Sequence, residues 1–339
     1  MIAEMDDFGT IHLRGDALMA DVNACDLPRG RFALWWLGQH SFIVKLGGAV
    51  IYIDPFLSPM EGRQVPPLLT PEQATNASLF VGTHDHADHI DRPVWPALAS
   101  ASPTAPFLVP QCLLDRGLAT SLGIAADRFV GMDAGQTWEM PSQRREFSNS
   151  EAVISICSSG ISNLESEIPS LKSGISNPKS AIRNPQSAID NLPSPISLTA
   201  IASSHEFLDA DPATGRFPYL GFVYEGHGCR LYHPGDTVWY EGLQTTLRRW
   251  RFDAMLLPIN GRDATRLRNN IIGNMTYQEA ADLSGPLNPG VVIPTHYDMF
   301  AGNPGDPAAF IDYMSVKYPT VRTHRCRYGE RLIINSHAA

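Results

Sequence analysis

The chain is short of cysteine, of basic charge and of long apolar runs. Its five cysteines (Cys25, Cys112, Cys157, Cys229 and Cys326) are scattered through 339 residues, odd in number, and form no C-x-x-C pair. That spacing argues against a disulfide framework and against a thiolate metal site. Lysine and arginine total 26 against 35 acidic residues, a formal net charge of -9. Such a balance works against long-range attraction to nucleic acid or to an anionic membrane, so neither is expected as a partner, while a local basic pocket for a small anion stays compatible. No stretch approaches the roughly 20 consecutive apolar residues of a membrane helix. The opening MIAEMDDFGTIHLRGDALMA lacks a basic start followed by an apolar run. No signal peptide is expected, and a cytoplasmic protein is the default. A homo-oligomer is left open.

What is present is a globular composition. Hydrophobic residues make up 43% and aromatics 9%, enough for a substantial core. Short apolar runs follow one another between glycine-containing turns: RFALWWLG (31–38), SFIVKL (41–46) and AVIYIDPF (49–56) read as strands, and SLFVGT (78–83) as a buried one. VWPALAS and QCLLDRGLATSLG read as helices, FLVP and RFVGM as strands. Further on, YLGFVYE and CRLYHPGD form a strand pair, and FDAMLLPIN and GVVIPTHYD are buried strands. EGLQTTLRRW and DPAAFIDYMSVKYP read as helices. TYQEAADL carries a capping box, Thr276 with Glu279 three residues on, and Gly285 and Pro286 end that helix. Strands and helices alternate in two strand-rich halves, which predicts two packed sheets with helices outside.

Residues 141–196 break this pattern. Serine recurs every seven residues from Ser159 to Ser194, with isoleucine two places later each time. Only one position per heptad is reliably apolar, and Pro169, Pro178, Pro185, Pro193 and Pro195 would break a helix, so no coiled coil is expected. The segment reads as a low-complexity, mostly disordered insertion looped out between QTWEM and ISLTAIASS of a single domain, 1–339. Its length is tolerable because closure entropy grows only logarithmically.

Several apolar strands run into a ligand-type residue: Asp54, His84, His205, Asp236 and His296. If those strand ends share a sheet edge, the side chains converge on one cavity. The densest stretch is THDHADHID, residues 83–91. His84 and His86 are two apart, so on extended backbone both imidazoles face one way and could bind one ion. Asp88 and His89 sit where the chain must turn and could reach a second. Imidazole with carboxylate suits zinc, manganese or iron. The competing reading is a solvated polar loop that caps a helix.

Those motifs carry a resemblance. HDHADHID, with Asp54 upstream and His205, Asp236 and His296 downstream, resembles the metallo-β-lactamase-fold hydrolases. FALWWLG, LYHPGDTVWY, LLPINGRD and VVIPTHYDMF further resemble the L-ascorbate-6-phosphate lactonase (UlaG-like) branch, over residues 30 to 335 apart from the insert. The resemblance implies an α/β fold, a four-layer αβ/βα sandwich of two mixed sheets, and two divalent ions, zinc or manganese. His84, His86 and His205 would hold the first ion, Asp88, His89 and His296 the second, with Asp236 bridging. Asp54 would orient the site from behind the ligands, and Asp88, Asp236 and Asp54 would serve the chemistry. Relatives often carry His directly after the glycine of WLG; here Gln39 stands there and His40 follows, so His40 is taken as a pocket residue at most. His233, three before Asp236, reads either as its support or as packing. Asp85 and Asp91 read as loop supports.

A water shared by two divalent ions is acidified toward neutrality, and the resulting hydroxide would open a lactone to a carboxylate. Leaving-group protonation could come from an aspartic acid, the water or Tyr297. Arg262, Arg266 and Arg268 lie close after a strand end, and guanidinium forks suit phosphate. Asn260, Arg262, Tyr297 and Asp298 are accordingly the substrate-contacting candidates, and a phosphorylated sugar lactone the expected small-molecule substrate. Rival readings are a phosphodiesterase on the same site, a di-iron redox protein, and a non-catalytic metal-binding module. The di-iron reading is disfavoured because such relatives place Glu where His86 stands.

Overall fold

The computed structural model describes residues 10–141 and 195–337. Contacts group the chain up to Met140 with the chain from Ser194 onward, and 141–193 separately. The disorder expected for the repeat falls outside the described residues.

The chain first lays down β1 (Arg31–Gly38), β2 (Ser41–Leu46), β3 (Ala49–Ile53), β4 (Leu79–Val81), β5 (Phe107–Pro110) and β6 (Phe129–Met132). A second sheet follows from β7 (Thr137–Glu139), β8 (Ser197–Ala202), β9 (Leu220–Gly226), β10 (Cys229–His233), β11 (Ala254–Pro258) and β12 (Val291–Thr295). The last strand, β13 (Arg331–Asn335), returns to the first sheet and pairs antiparallel with β1. The strand orders are β13-β1-β2-β3-β4-β5-β6 and β12-β11-β10-β9-β8-β7. Both sheets are mixed. β1 to β3 are antiparallel neighbours and β3 to β6 parallel; β7 to β10 are antiparallel and β10 to β12 parallel. The fold is the α/β sandwich expected from the alternation of elements.

Burial explains the near-continuous apolar strands. β3, β4, β5, β11 and β12 are buried at every position, as strands covered on both faces must be. One core cluster takes in residues of both sheets, with Trp35, Trp36 and Trp95 fully enclosed. Trp35 donates its indole N–H to Asp21 at 2.8 Å, which settles the polar end of a buried indole. The hairpin β9–β10 turns on His227 and Gly228, both at positive φ (53° and 79°), the requirement of a two-residue turn of the twisted-hairpin type.

Some elements differ from expectation. The helix expected over 111–123 is two short ones, Gln111–Asp115 and Leu118–Leu122, because Gly117 takes φ 85° between them. Helix Gly15–Ala24, which buries Leu18, Met19 and Val22, was not anticipated, nor was β13. The arginine-bearing stretch after β11 contains a helix, Ala264–Arg268, started by Asp263 accepting from the Thr265 and Arg266 amides. The capping box at Thr276 and Glu279 is present on helix Tyr277–Ser284.

At the far end of β7, the Met140 amide donates to the Ile196 carbonyl at 2.8 Å, so the chain leaves and rejoins the second sheet at one place. No helix among the described residues is long and apolar enough to cross a membrane.

Candidate metal centre

β1, β3 and β4 run in one direction in the first sheet, and β8, β10 and β12 in one direction in the second. Each of these six strands delivers one polar residue just past its C-terminal end: Gln39, Asp54, His84, His205, Asp236 and His296 in turn. The two edges are pinned to each other there by backbone bonds, Leu220 N–H to the Thr83 carbonyl (3.1 Å) and His296 N–H to the Gln39 carbonyl (2.9 Å). Six non-glycine residues have positive φ among the described residues; Gln39 (54°), Asp54 (44°) and His296 (59°) are three of them. Left-handed backbone costs of order 1 kcal/mol or more for such residues, and here it turns each side chain from its strand into the site.

Two groups of ligand atoms result. His84, His86, His205 and Asp236 form one, Asp88, His89 and His296 the other, the atoms in each lying within 4.8 Å of one another. His84 Nε2 and His86 Nδ1 stand 3.0 Å apart. The Asp236 carboxylate faces both groups: Oδ2 lies 3.5 Å from His205 Nε2, while Oδ1 lies 3.3 Å from His89 Nε2 and 3.2 Å from His296 Nε2. His89 Nε2 and Asp236 Oδ1 are buried with no hydrogen-bond partner. Buried polar atoms left in this state call for another partner, and a divalent cation shared by imidazole and carboxylate supplies one. The residues present therefore fit metal ions.

Behind the ligands a relay fixes their tautomers. Asp54 is wholly buried and accepts from the Thr83 amide (2.8 Å) and hydroxyl (2.8 Å), and its Oδ2 lies 2.7 Å from His89 Nδ1. With its own proton given to Asp54, the Thr83 oxygen is free to accept from His84 Nδ1 at 3.0 Å. Both imidazoles thus hold a proton on Nδ1 and turn Nε2 toward the ligand groups, bare at His84 and, at His89, carrying the proton that an entering ion replaces. One carboxylate sets a histidine in each group. Asp91 accepts from the Leu57 and Ser58 amides, and Asp85 pairs with Arg92, so both support loops. His233 donates to the His40 carbonyl (2.9 Å) and accepts from the Gly235 amide, bracing the turn that carries Asp236.

The titration of the two groups is opposite. Burial, helped by His89 for His84 and by His205 for His86, holds those two imidazoles below their usual range and so neutral. At His89 and His296 burial acts in the same direction, but Asp236, then Asp88, outweigh it: His89 is held well above its usual value and His296 pushed up to about 9. Burial would raise Asp88 and Asp236, yet the charges of His89 and His296 hold both below the usual carboxylate range. The metal-free protein therefore keeps a proton on His296. Its raised pKa contributes stability that is fully present below about 6.5 and is lost as pH rises through about 9. Chelator-treated protein is expected to lose thermal stability over that window. An ion entering beside Asp88 must expel the proton, so calorimetric titration at pH 7.5 in buffers of different ionisation enthalpy should show at least one proton released per ion there. Proton-neutral uptake would contradict this pairing.

Gln39 was not among the residues read as functional, yet it enters the second group. Its amide nitrogen donates to Asp88 Oδ2 at 2.8 Å and stands 3.0 Å from His296 Nε2. The amide occupies the space between two ligands, and an ion there displaces it. Gln39→Ala is expected to tighten the weaker of two metal-binding steps about tenfold in a metal titration. Weaker binding instead would make the amide oxygen a ligand. Tyr219, also unforeseen, sets its ring 5.2 Å from those of His84 and His205 and 5.9 Å from that of His86. His40 is buried against His233, its Nδ1 2.9 Å from Thr295 Oγ1.

The substrate-contacting candidates fare differently. Arg262 faces solvent beside the site, but its fork is held by Glu279 (2.6 and 2.7 Å). Asn260 is buried in hydrogen bonds with Asn303 and Asn274. Tyr297 packs on Trp36, with ring centroids 5.4 Å apart, and its hydroxyl bonds Arg325. Asp298 accepts from the Gln39 backbone N–H and the Tyr328 hydroxyl, and burial raises it to about 6.

Two mixed sheets meeting at an edge that gathers five histidines and two aspartates define an α/β sandwich with a metal-ligand centre. The chain belongs to the beta-lactamase superfamily, whose domain matches residues 33–296. It is similar to a UPF0173 metal-dependent hydrolase of Caldivirga maquilingensis, 23% identical over 299 residues, 88% of this chain and 96% of that one. It is also similar to one of Myxococcus xanthus, 27% identical over 307 residues, 89% and 84% of the two chains. A solved metallo hydrolase from Ignicoccus hospitalis shares the fold, with a TM-score of 0.56 at 18% identity over 89% of this chain and 98% of that one.

Proposed function

We propose that the protein is a metal-dependent hydrolase that holds two divalent ions and cleaves carboxylic esters, lactones foremost. The observation that carries this reading is the Asp236 carboxylate turned with one oxygen to each of two histidine groups. Its relatives' description as metal-dependent hydrolases agrees with it.

Bound ions in such a centre supply an acidified water and a polarised carbonyl. The chain's own residues do the rest. Asp54 and Thr83 hold a proton on Nδ1 of His89 and His84, so that Nε2 is the atom each turns to an ion. Asp88, whose side chain is 18% exposed against 5% for Asp236, is the carboxylate of the cluster most open to solvent. In this reading its Oδ2 takes the proton of the attacking water and returns it to the leaving oxygen. The water oxygen bonds to the acyl carbon, the carbon–oxygen bond of the ester breaks, and a carboxylate and an alcohol result. The phosphorylated substrate expected from the arginines loses its main support, because Arg262 is already paired with Glu279; the same pairing weakens the phosphodiesterase reading.

Metal analysis of the purified protein, followed by a panel of simple lactones, L-ascorbate 6-phosphate and an aryl phosphodiester, tests the proposal. About two ions per chain and turnover of the lactones are expected. Hydrolysis of the diester alone would sink the ester reading.

A further inference from the structure

A cavity of about 350 Å³ opens directly beside the metal-ligand cluster and shares His205 with it. Its apolar lining is Phe207, Leu267, Ile271 and Ile272. These side chains come from two separate segments, the loop after β8 and the stretch around helix Ala264–Arg268, and none belongs to the core. Phe207 is 65% and Leu267 63% exposed. Large apolar side chains converging on one concavity next to reactive groups are the usual mark of a binding site. The wall is held in place. Arg266 bonds Asn303 (2.9 Å) and the Pro304 carbonyl, and a Cβ on Gly273 would stand 1.9 Å from the Gly261 carbonyl oxygen.

Charge points the same way. Arg262 is the one cationic side chain lining this cavity among the described residues, and Glu279 holds it through both guanidinium nitrogens. Glu279 also accepts from the Thr276 amide at the start of helix Tyr277–Ser284, so pulling Arg262 away would disturb that cap. The other ionisable groups, besides His205, are Glu206 and Asp263. A phosphate there would meet the Glu206 carboxylate, with Arg262 paired to Glu279 and Asp263 to Arg266.

We propose that this cavity receives an uncharged apolar substituent of the substrate, so that the enzyme prefers esters or lactones carrying an alkyl or aryl chain over phosphorylated ones. The proposal rests on the hydrolase reading above, with the acyl carbon at the ligand cluster and the chain passing over His205. Phe207 and Leu267 determine the preference.

The test uses the full-length, metal-loaded protein and p-nitrophenyl esters from acetate to octanoate. A buried methylene is worth about a fourfold gain in kcat/KM, so a steep rise with chain length is expected until the cavity is filled. Phe207→Ser and Leu267→Ser should flatten that rise; both side chains are largely exposed, so the fold does not depend on them. Calorimetric binding of acetate and of octanoate reads the cavity without turnover, and octanoate should bind at least tenfold tighter. Tighter octanoate binding without hydrolysis of any ester would sustain the apolar site and sink the hydrolase reading. Hydrolysis with no chain-length dependence would do the reverse. Faster turnover of L-ascorbate 6-phosphate than of any alkyl ester would overturn the proposal. So would a dimer that dissociates in Leu267→Ser while the chain-length profile stays flat, which would assign the patch to a second copy of the chain.

Discussion

An Asp236→Ala variant is expected to lose most of its bound metal and to fall at least about a thousandfold in kcat/KM on any substrate the native protein turns over. The reason is its position. Oδ1 lies 3.2 and 3.3 Å from His296 and His89, and Oδ2 3.5 Å from His205, so one carboxylate serves both ligand groups. The change removes the one charge the two groups share, and the several kcal/mol of transition-state stabilisation that a metal centre provides corresponds to a factor of that size. The same change removes the main influence that keeps His296 protonated in the metal-free state. Metal content by elemental analysis and kinetics on a lactone read the two effects together. A variant that retains two ions and near-native turnover would remove Asp236 from the bridging role.

Asp54→Asn should cost about a hundredfold in metal affinity, although Asp54 stands behind the ligands and not among them. Its carboxylate accepts from Thr83 twice and lies 2.7 Å from His89 Nδ1. An asparagine keeps the shape but offers one acceptor and one donor. With the oxygen accepting from the Thr83 amide, the NH2 group meets His89 Nδ1 and favours the tautomer whose proton sits on Nε2, aimed at the ion. The Thr83 hydroxyl loses its acceptor as well, and with it the polarity that sets His84. Because one substitution reaches a histidine in each group, both binding steps of a metal titration should weaken; partners behind ligands are commonly worth 10- to 100-fold at one site. Weakening of a single step would show that the Thr83 link to His84 carries nothing. Rescue is expected in Asp54→Glu only if the longer side chain still reaches Nδ1.

Much of this architecture is legible because it is local. The runs 31–38 and 41–46 match β1 and β2 residue for residue, since each is an apolar stretch between glycine-bearing turns. The capping box on helix Tyr277–Ser284 needs only Thr276 and Glu279. H-x-H-x-D-H is legible for the same reason, and the convergence of His205, Asp236 and His296 follows from strands ending on one edge. Gln39 was not legible: its partners Asp88 and His296 are 49 and 257 positions away, and its entry depends on a left-handed backbone after Gly38. Thr83 is not legible because a hydroxyl relay has no spacing signature. Proximity of Arg262 to a strand end does not reveal that Glu279 holds its guanidinium. The break at Gly117 and the helix Gly15–Ala24 are short-range features whose apolar patterns are too brief to separate from alternatives.

The hydrogen bond between Met140 and Ile196 has a practical side. It closes the far end of the β7–β8 ladder, and β8 then spans six residues, about 20 Å, before the chain reaches His205. The register of β8 is set independently by its pairing with β9 from Ser197 to Ala202. The junction is thus a socket whose two chain ends meet side by side, remote from the chemistry. A shorter linker or a fluorescent reporter joined there need not stretch the sheet, and lengthening a flexible linker costs only logarithmically in closure entropy. Evolution and protein engineering would find the same port open.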